Sequence, residues 1–254
     1  MITAITRGVS PSIASCQLEY LARTPIDVPK AAAQHRDYEA FLTSLGLRVI
    51  SLPPDEALPD GLFVEDPAIV LDEVAIVCRL GAESRRAEAV SVAEALSPFR
   101  RLRWLREPGT LEGGDVMRIG KTLYCGISRR TNQEGARQLG DLLKPLGYTV
   151  VPVAVSGCLH LKSAICPLSD DAVLANRSWI DMESFSSLSI LDVPSEEPAA
   201  ANVLRIGETI LMPSSFPQTR DLLEHSGFRV TSLEISELQK AEAGVTCSSL
   251  IFKT

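Results

Sequence analysis

Apolar residues in this chain fall into short runs cut by Gly, Asp, Pro and charged pairs, and the runs recur in one order: strand, tight turn, strand, helix, strand. The first complete copy predicts strands at Ala68–Leu71 and Val74–Arg79, a helix from Ser84 to Leu96, and a strand at Leu102–Leu105. In the next, Val116–Ile119 and Thr122–Gly126 pair, Asn132–Leu146 is helical and Thr149–Val153 is extended. A third copy has strands at Ser163–Cys166, Ala172–Ala175 and Ser189–Asp192 around a weaker helix near Asp181–Ser187. The fourth has Asn202–Arg205, Thr209–Met212, a helix at Gln218–His225 and a strand at Arg229–Leu233. What is left is split between the ends: Ser249–Phe252, then Ile2–Thr6, a helix at Pro29–Leu45 and Leu47–Leu52. Joined, these fragments make a fifth copy.

A unit recurring every roughly 40–50 residues signals a closed or stacked repeat, and closure through the termini removes free sheet edges. The pattern therefore predicts one α/β domain over residues 1–254, a five-bladed pseudo-symmetric propeller of ββαβ units. Helices would lie outside and strands would line the centre. An ordinary doubly wound α/β sheet is the alternative the same runs allow. Neither standard Gly-rich phosphate loop is present, so that alternative brings no nucleotide.

Composition narrows the partners. With 254 residues, 45% hydrophobic, the chain can bury a substantial core. Its formal charge of −7 and the lack of a basic stripe argue against nucleic acid and suit a small cationic ligand. No apolar run is long enough for a membrane span. The cysteines, Cys16, Cys78, Cys125, Cys158, Cys166 and Cys247, show no CxxC or CxxH spacing, which argues against zinc and against a disulfide framework. Reduced thiols and a cytoplasmic location are expected. Arg7, Gly8, Ser10 and Pro11 break the apolar stretch a lipoprotein signal would need before Cys16. Oligomeric state stays open, with a homo-oligomer compatible.

The chemistry centres on Cys247 in Gly-Val-Thr-Cys-Ser-Ser, His160 in Leu-His-Leu-Lys and Glu112 in Leu-Glu-Gly-Gly-Asp. A thiolate is an effective nucleophile when a neighbour takes or holds its proton, and an imidazole does so best when a carboxylate orients it. The chain order, Glu then His then Cys, is not that of papain-like peptidases. Asp60-Gly61-Leu62-Phe63-Val64-Glu65-Asp66-Pro67 precedes the first copy, Glu112 the second, His160 the third, and Cys247 the split fifth. In a ring, such entry points converge on one mouth. Side chains alternate along extended backbone, so Glu65 and Asp66 are expected on different sides. Acids crowded around a cysteine raise its pKa unless the substrate is itself a cation. A guanidinium fits, because carboxylates hold its planar fork of donors and its charge favours the thiolate.

At these residues the chain resembles the guanidino-modifying pentein superfamily, and within it the dimethylarginine dimethylaminohydrolases. The likeness runs through Leu-Pro-Asp-Gly-Leu-Phe-Val-Glu-Asp at 58–66, Gly-Ala-Glu-Ser-Arg-Arg at 81–86, Leu-Glu-Gly-Gly-Asp at 111–115, Arg-Thr-Asn-Gln-Glu-Gly-Ala at 130–136, His-Leu-Lys-Ser at 160–163 and the Cys247 segment. It implies Cys247 as nucleophile, His160 as acid and base, and Glu112 and Asp66 as carboxylates around the guanidinium. Asp60 would hold the substrate's α-ammonium, Arg85 and Arg130 its α-carboxylate, Phe63 would wall the pocket, and Leu18 would sit on a mobile lid. Glu65 and Val245 complete the implied substrate shell. No metal or cofactor is expected.

One departure bears on specificity. Deiminases and amidinotransferases carry His-x-Asp, whose Asp pairs with unsubstituted guanidinium nitrogens, whereas here Leu161 and Lys162 follow His160. Losing that acceptor leaves room for methyl groups. The expected reaction is therefore hydrolysis of Nω-methylated L-arginine to citrulline and methylamine or dimethylamine through a cysteine thiouronium. The rivals are a deiminase acting on arginine or another guanidino compound, and a non-catalytic propeller that binds a macromolecule, like the ribosome anti-association factor of related fold. His35 and His225 read as packing or surface residues, Arg86 and Arg129 as solvent-facing, and the cysteines other than Cys247 as small buried hydrophobes. Cys16 lies beside the expected lid.

Overall fold

The computed structural model describes residues 1–254. Its strands form five separate three-stranded sheets. In each, the first strand pairs antiparallel with the middle one and the third pairs parallel with it. A parallel third strand requires a crossover, which the repeat's helix supplies. Blade one holds Ala68–Val70, Ala75–Val77 and Leu102–Trp104, and blade two holds Val116–Ile119, Thr122–Ile127 and Thr149–Ala154. Blade three holds Ile165–Pro167, Ala172–Ala175 and Ser189–Asp192, and blade four Leu204–Ile206, Thr209–Pro213 and Arg229–Leu233. Blade five joins Leu250–Lys253 to Ile2–Arg7 and Arg48–Leu52, so the termini share one sheet as the sequence predicts. A cavity of about 360 Å³ touches Ala68, Val116, Cys166, Leu204 and Leu250, one residue from the first strand of every blade. First strands thus line the centre.

Helix boundaries follow local chemistry. The blade-five helix Val28–Ser44 starts at Asp27, whose carboxylate accepts the Lys30 amide at 3.0 Å, and buries Ala31, Gln34, His35, Tyr38 and Leu42 along one stripe. Burying the Leu42 side chain alone contributes about 1.5–3 kcal/mol. His35 is a packing residue beside Glu39 at 3.2 Å, and His225 is exposed with Nδ1 against the Asp221 carbonyl. In blade two, Asn132 caps Gln133–Leu143, and the chain tightens to a 3-10 turn at Lys144–Leu146 instead of continuing. Pro145 lacks the N–H that the next helical turn would need. Blade one splits its expected helix into a 3-10 turn, Glu83–Arg85, and a helix, Glu88–Leu96. Blade three departs most. Asp181–Ser187 yields only the 3-10 turn Glu183–Phe185, anchored by the buried Phe185 ring 4.6 Å from that of Tyr124. Residues Leu161–Ala164 form one helical turn and the strand begins at Ile165.

Hydrogen bonds tie the blade entries into a closed ring. The Glu65 amide donates to the Cys247 carbonyl at 3.3 Å and the Gly113 amide to the Asp66 carbonyl at 2.9 Å. The Leu161 amide donates to Asp115 at 2.9 Å, and Asn202 donates to the Lys162 carbonyl and accepts the Thr246 amide. Cys247, His160, Glu112, Glu65 and Asp66 each sit on or next to a link of this ring.

Candidate active site

Blade entries place Cys247, His160 and Asp66 on one small cavity, together with Asp60, Phe63, Arg85 and Arg130. Glu112 stands behind His160, wholly buried, with Oε2 2.8 Å from Nε2 of the imidazole. Nδ1 makes no hydrogen bond and lies 3.9 Å from Asp66 Oδ1, which leaves that nitrogen available to a ligand. Asp66 is fixed from both sides: Oδ1 accepts the Gly114 amide at 3.0 Å and Oδ2 accepts Arg85 Nη1 at 2.9 Å. Cys247 is partly exposed, and its sulfur accepts the Gly244 amide at 3.4 Å. Gly81 donates to Glu112 Oε1 at 3.1 Å, and Arg130 Nη1 reaches both Glu112 oxygens at 3.4 Å.

Electrostatics set the resting protonation. Burial, then the carboxylates of Glu65 and Asp66, push the Cys247 thiol up to about 12, so it rests as a neutral thiol. Burial opposes charge on His160, but Asp66, Asp115 and Glu112 outweigh it and raise its pKa, so the ring rests as imidazolium. Glu112 is held well below the carboxylate range despite its burial, by the His160 hydrogen bond and the Arg85 and Arg130 charges. Burial raises Asp60 and lifts Asp115 to about 6. The site therefore holds a protonated imidazole beside a neutral thiol.

Three expected substrate residues lie elsewhere. Glu65 turns its carboxylate to Lys162 Nζ at 2.5 Å and Thr246 Oγ1 at 2.8 Å, and lines the 360 Å³ central cavity rather than this one. Alternation along the chain explains it, since Glu65, Lys162 and Thr246 face one way and Asp66, Ser163 and Cys247 the other. Val245 is buried in the core with Leu62 and Leu211, and Ala241, Glu242 and Ala243 line the cavity in its stead. Leu18 packs on that same core, while its neighbour Gln17 reaches the cavity and donates its amide to Asp60. Arg85 is buried with Nε and Nη2 forked on Glu88 at 3.0 and 2.9 Å, leaving few donors for a ligand. Arg130 Nε is taken by Glu19.

The sequence reading missed Glu88, Asp115, Glu19 and Glu242. Glu88 was findable, because Arg85 and Glu88 stand three apart at the start of a helix, where such pairs meet. Asp115 binds the Leu161 amide and the Ser128 hydroxyl beneath His160, and lies inside a quoted motif. The other two act across long stretches of chain, and no local signal marks them.

Asp66, Glu112 and His160 bring ligand atoms within 4.8 Å of one another, a spacing that could hold a metal. Arg85 and Arg130 already balance that charge, so a divalent ion would meet two guanidinium groups there. The paired glycines matter more. A Cβ on Gly114 would sit 2.6 Å from His160 Nδ1 and 2.9 Å from Asp66 Oδ1, and one on Gly113 2.0 Å from the Glu65 carbonyl oxygen. Gly114→Ala is expected to push the imidazole off its Glu112 bond and lower kcat about 100-fold, the cost of a misplacement near 1 Å. A Gly114→Ala protein with nearly native kcat would show that the ring tolerates displacement.

A sequence profile described as N,N dimethylarginine dimethylhydrolase, eukaryotic, matches residues 22–247. The N(G),N(G)-dimethylarginine dimethylaminohydrolase of Streptomyces coelicolor is 40% identical over 248 residues, covering 97% of this chain and 95% of that one. The structure of the Pseudomonas aeruginosa enzyme, a cysteine-to-serine variant complexed with citrulline, superposes with a TM-score of 0.94 at 35% identity, covering 99% of this chain and all of that one. A histidine-to-glycine dimethylarginine dimethylaminohydrolase captured as an adduct with S-methyl-L-thiocitrulline gives 0.93 at 35% identity, again over 99% and 100% of the two chains. With the five-bladed ring and the Cys, His and Glu convergence, these matches establish that the chain belongs to the dimethylarginine dimethylaminohydrolase family of the pentein superfamily.

Proposed function

We propose that this site hydrolyses Nω-mono- and asymmetric dimethyl-L-arginine to L-citrulline and the corresponding amine. The carrying observation is that Cys247, His160 and Asp66 meet at one small cavity, with Glu112 bonded to His160 behind it, in a chain of this family. A cationic guanidinium beside Asp66 offsets the repulsion that keeps Cys247 protonated, so substrate binding releases the thiol proton to solvent and leaves the thiolate. The thiolate attacks the guanidinium carbon. His160 gives its proton to the departing amine as the C–N bond breaks, leaving a covalent thiouronium. The neutral imidazole then takes a proton from water, hydroxide adds to the same carbon, and cleavage of C–S releases citrulline and the cysteine. Arg130 takes the α-carboxylate, Arg85 adds charge behind it, Asp60 receives the α-ammonium, Phe63 walls the cavity and Leu18 travels with the covering segment. The protein works in a reducing compartment such as the cytoplasm, in keeping with six free cysteines, five of them buried. No helix is long and apolar enough to cross a membrane.

Lys162 sets the selectivity. Its ammonium is turned to Glu65, so no carboxylate stands where deiminases would place one after the histidine. Unmethylated arginine brings donors that find no acceptor, at about 1–3 kcal/mol each, whereas methyl contact adds at most about 1 kcal/mol. The kcat/KM for asymmetric dimethylarginine is accordingly expected to exceed that for arginine by about two orders of magnitude. Symmetric dimethylarginine is expected to be poor. Citrulline release measured across these substrates tests the reading, and equal rates on arginine would reject it.

The pH dependence has a definite sign. In the free enzyme the thiolate fraction grows with pH until about 12, while His160 stays protonated past the ordinary histidine value of about 6.5. The kcat/KM is therefore expected to keep rising through neutrality. A profile that levels or falls near the ordinary histidine value would contradict this assignment of proton positions.

A further inference from the structure

Arg130 is almost wholly buried, and in this structure its carboxylate partner comes from the chain itself. Glu19, on the segment covering the cavity, takes the Nε hydrogen bond through Oε1, and its other oxygen is buried without a partner. The segment is latched from the far side. Glu242, in left-handed backbone with φ 60°, accepts the amides of Glu19, Tyr20 and Leu21 on a single oxygen at 3.0, 2.6 and 2.6 Å. Gln17 donates to Asp60, and Arg23 reaches the Ala14 and Cys16 carbonyls. The space beneath is about 20 Å³, room for little more than one water. An amino acid can enter only when this segment lifts, and Glu19 then leaves Arg130.

We propose that Glu19 is a built-in competitor for the substrate's α-carboxylate: it keeps Arg130 paired in the empty enzyme and sets the affinity for the amino-acid end of the ligand. This rests on the reading of Arg130 given above. Lifting the segment leaves the buried Arg130 guanidinium only its 3.4 Å contacts to Glu112, a carboxylate already shared with His160 and Arg85, so lifting is favoured when another carboxylate arrives. A ligand with an α-carboxylate makes an even exchange of one anion for another. A ligand without it leaves Glu19 free to return to Arg130, and the two do not compete.

Glu19→Gln keeps the shape and removes the charge. Citrulline binding by calorimetry is expected to tighten, and KM for asymmetric dimethylarginine to fall, by about 5-fold or more, the low end for coupled binding events, with a smaller change in kcat. Binding of decarboxylated citrulline is expected to stay within about twofold of wild type, because Glu19 returns to Arg130 once that ligand is bound. Unchanged or weaker citrulline binding by the variant overturns the proposal. So does equal tightening for both ligands, which would make Glu19 a plain latch. Wild-type protein that neither binds citrulline nor turns over methylated arginine would instead overturn the reading of the site, and this inference with it.

Discussion

Cys247→Ser is expected to abolish turnover of methylated arginine, with kcat falling by about 10⁴-fold or more, as nucleophile deletions do. The argument goes beyond the lower acidity of a hydroxyl. In this site the acid–base partner rests as imidazolium, held charged by Asp66, Asp115 and Glu112, and cannot accept a proton from serine in the first step. The native thiol is rescued by the arriving guanidinium, which brings its pKa down from about 12, whereas a hydroxyl starts too high for the same charge to suffice. The replacement is nearly isosteric, and only the Gly244 amide contact involves the sulfur, so folding and citrulline affinity are expected to persist. The serine variant of the Pseudomonas relative holds citrulline in its structure. Citrulline formation by Cys247→Ser at a rate near wild type would sink covalent catalysis.

His160→Gly is expected to lower kcat by about 10²–10⁴-fold, because in the proposed cycle one ring serves both the departing amine and the incoming water. Losing the ring also removes a cation from Glu112, yet Arg85 and Arg130 stay within 3.7 and 3.4 Å of that carboxylate, so it is not left as an uncompensated buried charge. The variant is therefore expected to fold. With a substrate whose leaving group needs no proton, the first step is expected to proceed and the second to stall, which mass spectrometry would detect as a stable adduct on Cys247. The histidine-to-glycine relative was captured as an adduct with S-methyl-L-thiocitrulline. Normal multiple turnover by His160→Gly would make this histidine structural.

Most of the ring was legible because each blade carries its own period: two short apolar runs, a turn, a helical stripe and a third run. Even the split fifth blade could be assembled, since Ile2–Arg7 and Leu250–Lys253 supply the strands that the other four copies each have in order. Blade three was overread as helical, since 181–187 has acids and serines that suit a turn as well as a helix, and only the burial of Phe185 against Tyr124 decides. Cys247, His160 and Glu112 stood out as candidates for a different reason. Their residue types are reactive in few combinations, and they recur at blade entries.

What the sequence determined by itself is thus the repeat, the entry points and the choice of Cys247, His160, Glu112 and Asp66 as candidates. What it left to the tertiary structure is direction and company. Alternating side chains send Asp66 into the cavity and Glu65 to Lys162, a difference of one residue that depends on register. Val245 lies in the core and Glu242 at the cavity because the turn before Cys247 fixes which residue faces inward. The charges that govern reactivity come from blades distant in sequence: Arg130 meets Glu19 across 111 positions and Glu112 across 18. Electrostatic interaction depends on separation in space and on burial, neither of which a linear pattern carries, so the protonation state of the site is decided only once the ring has closed.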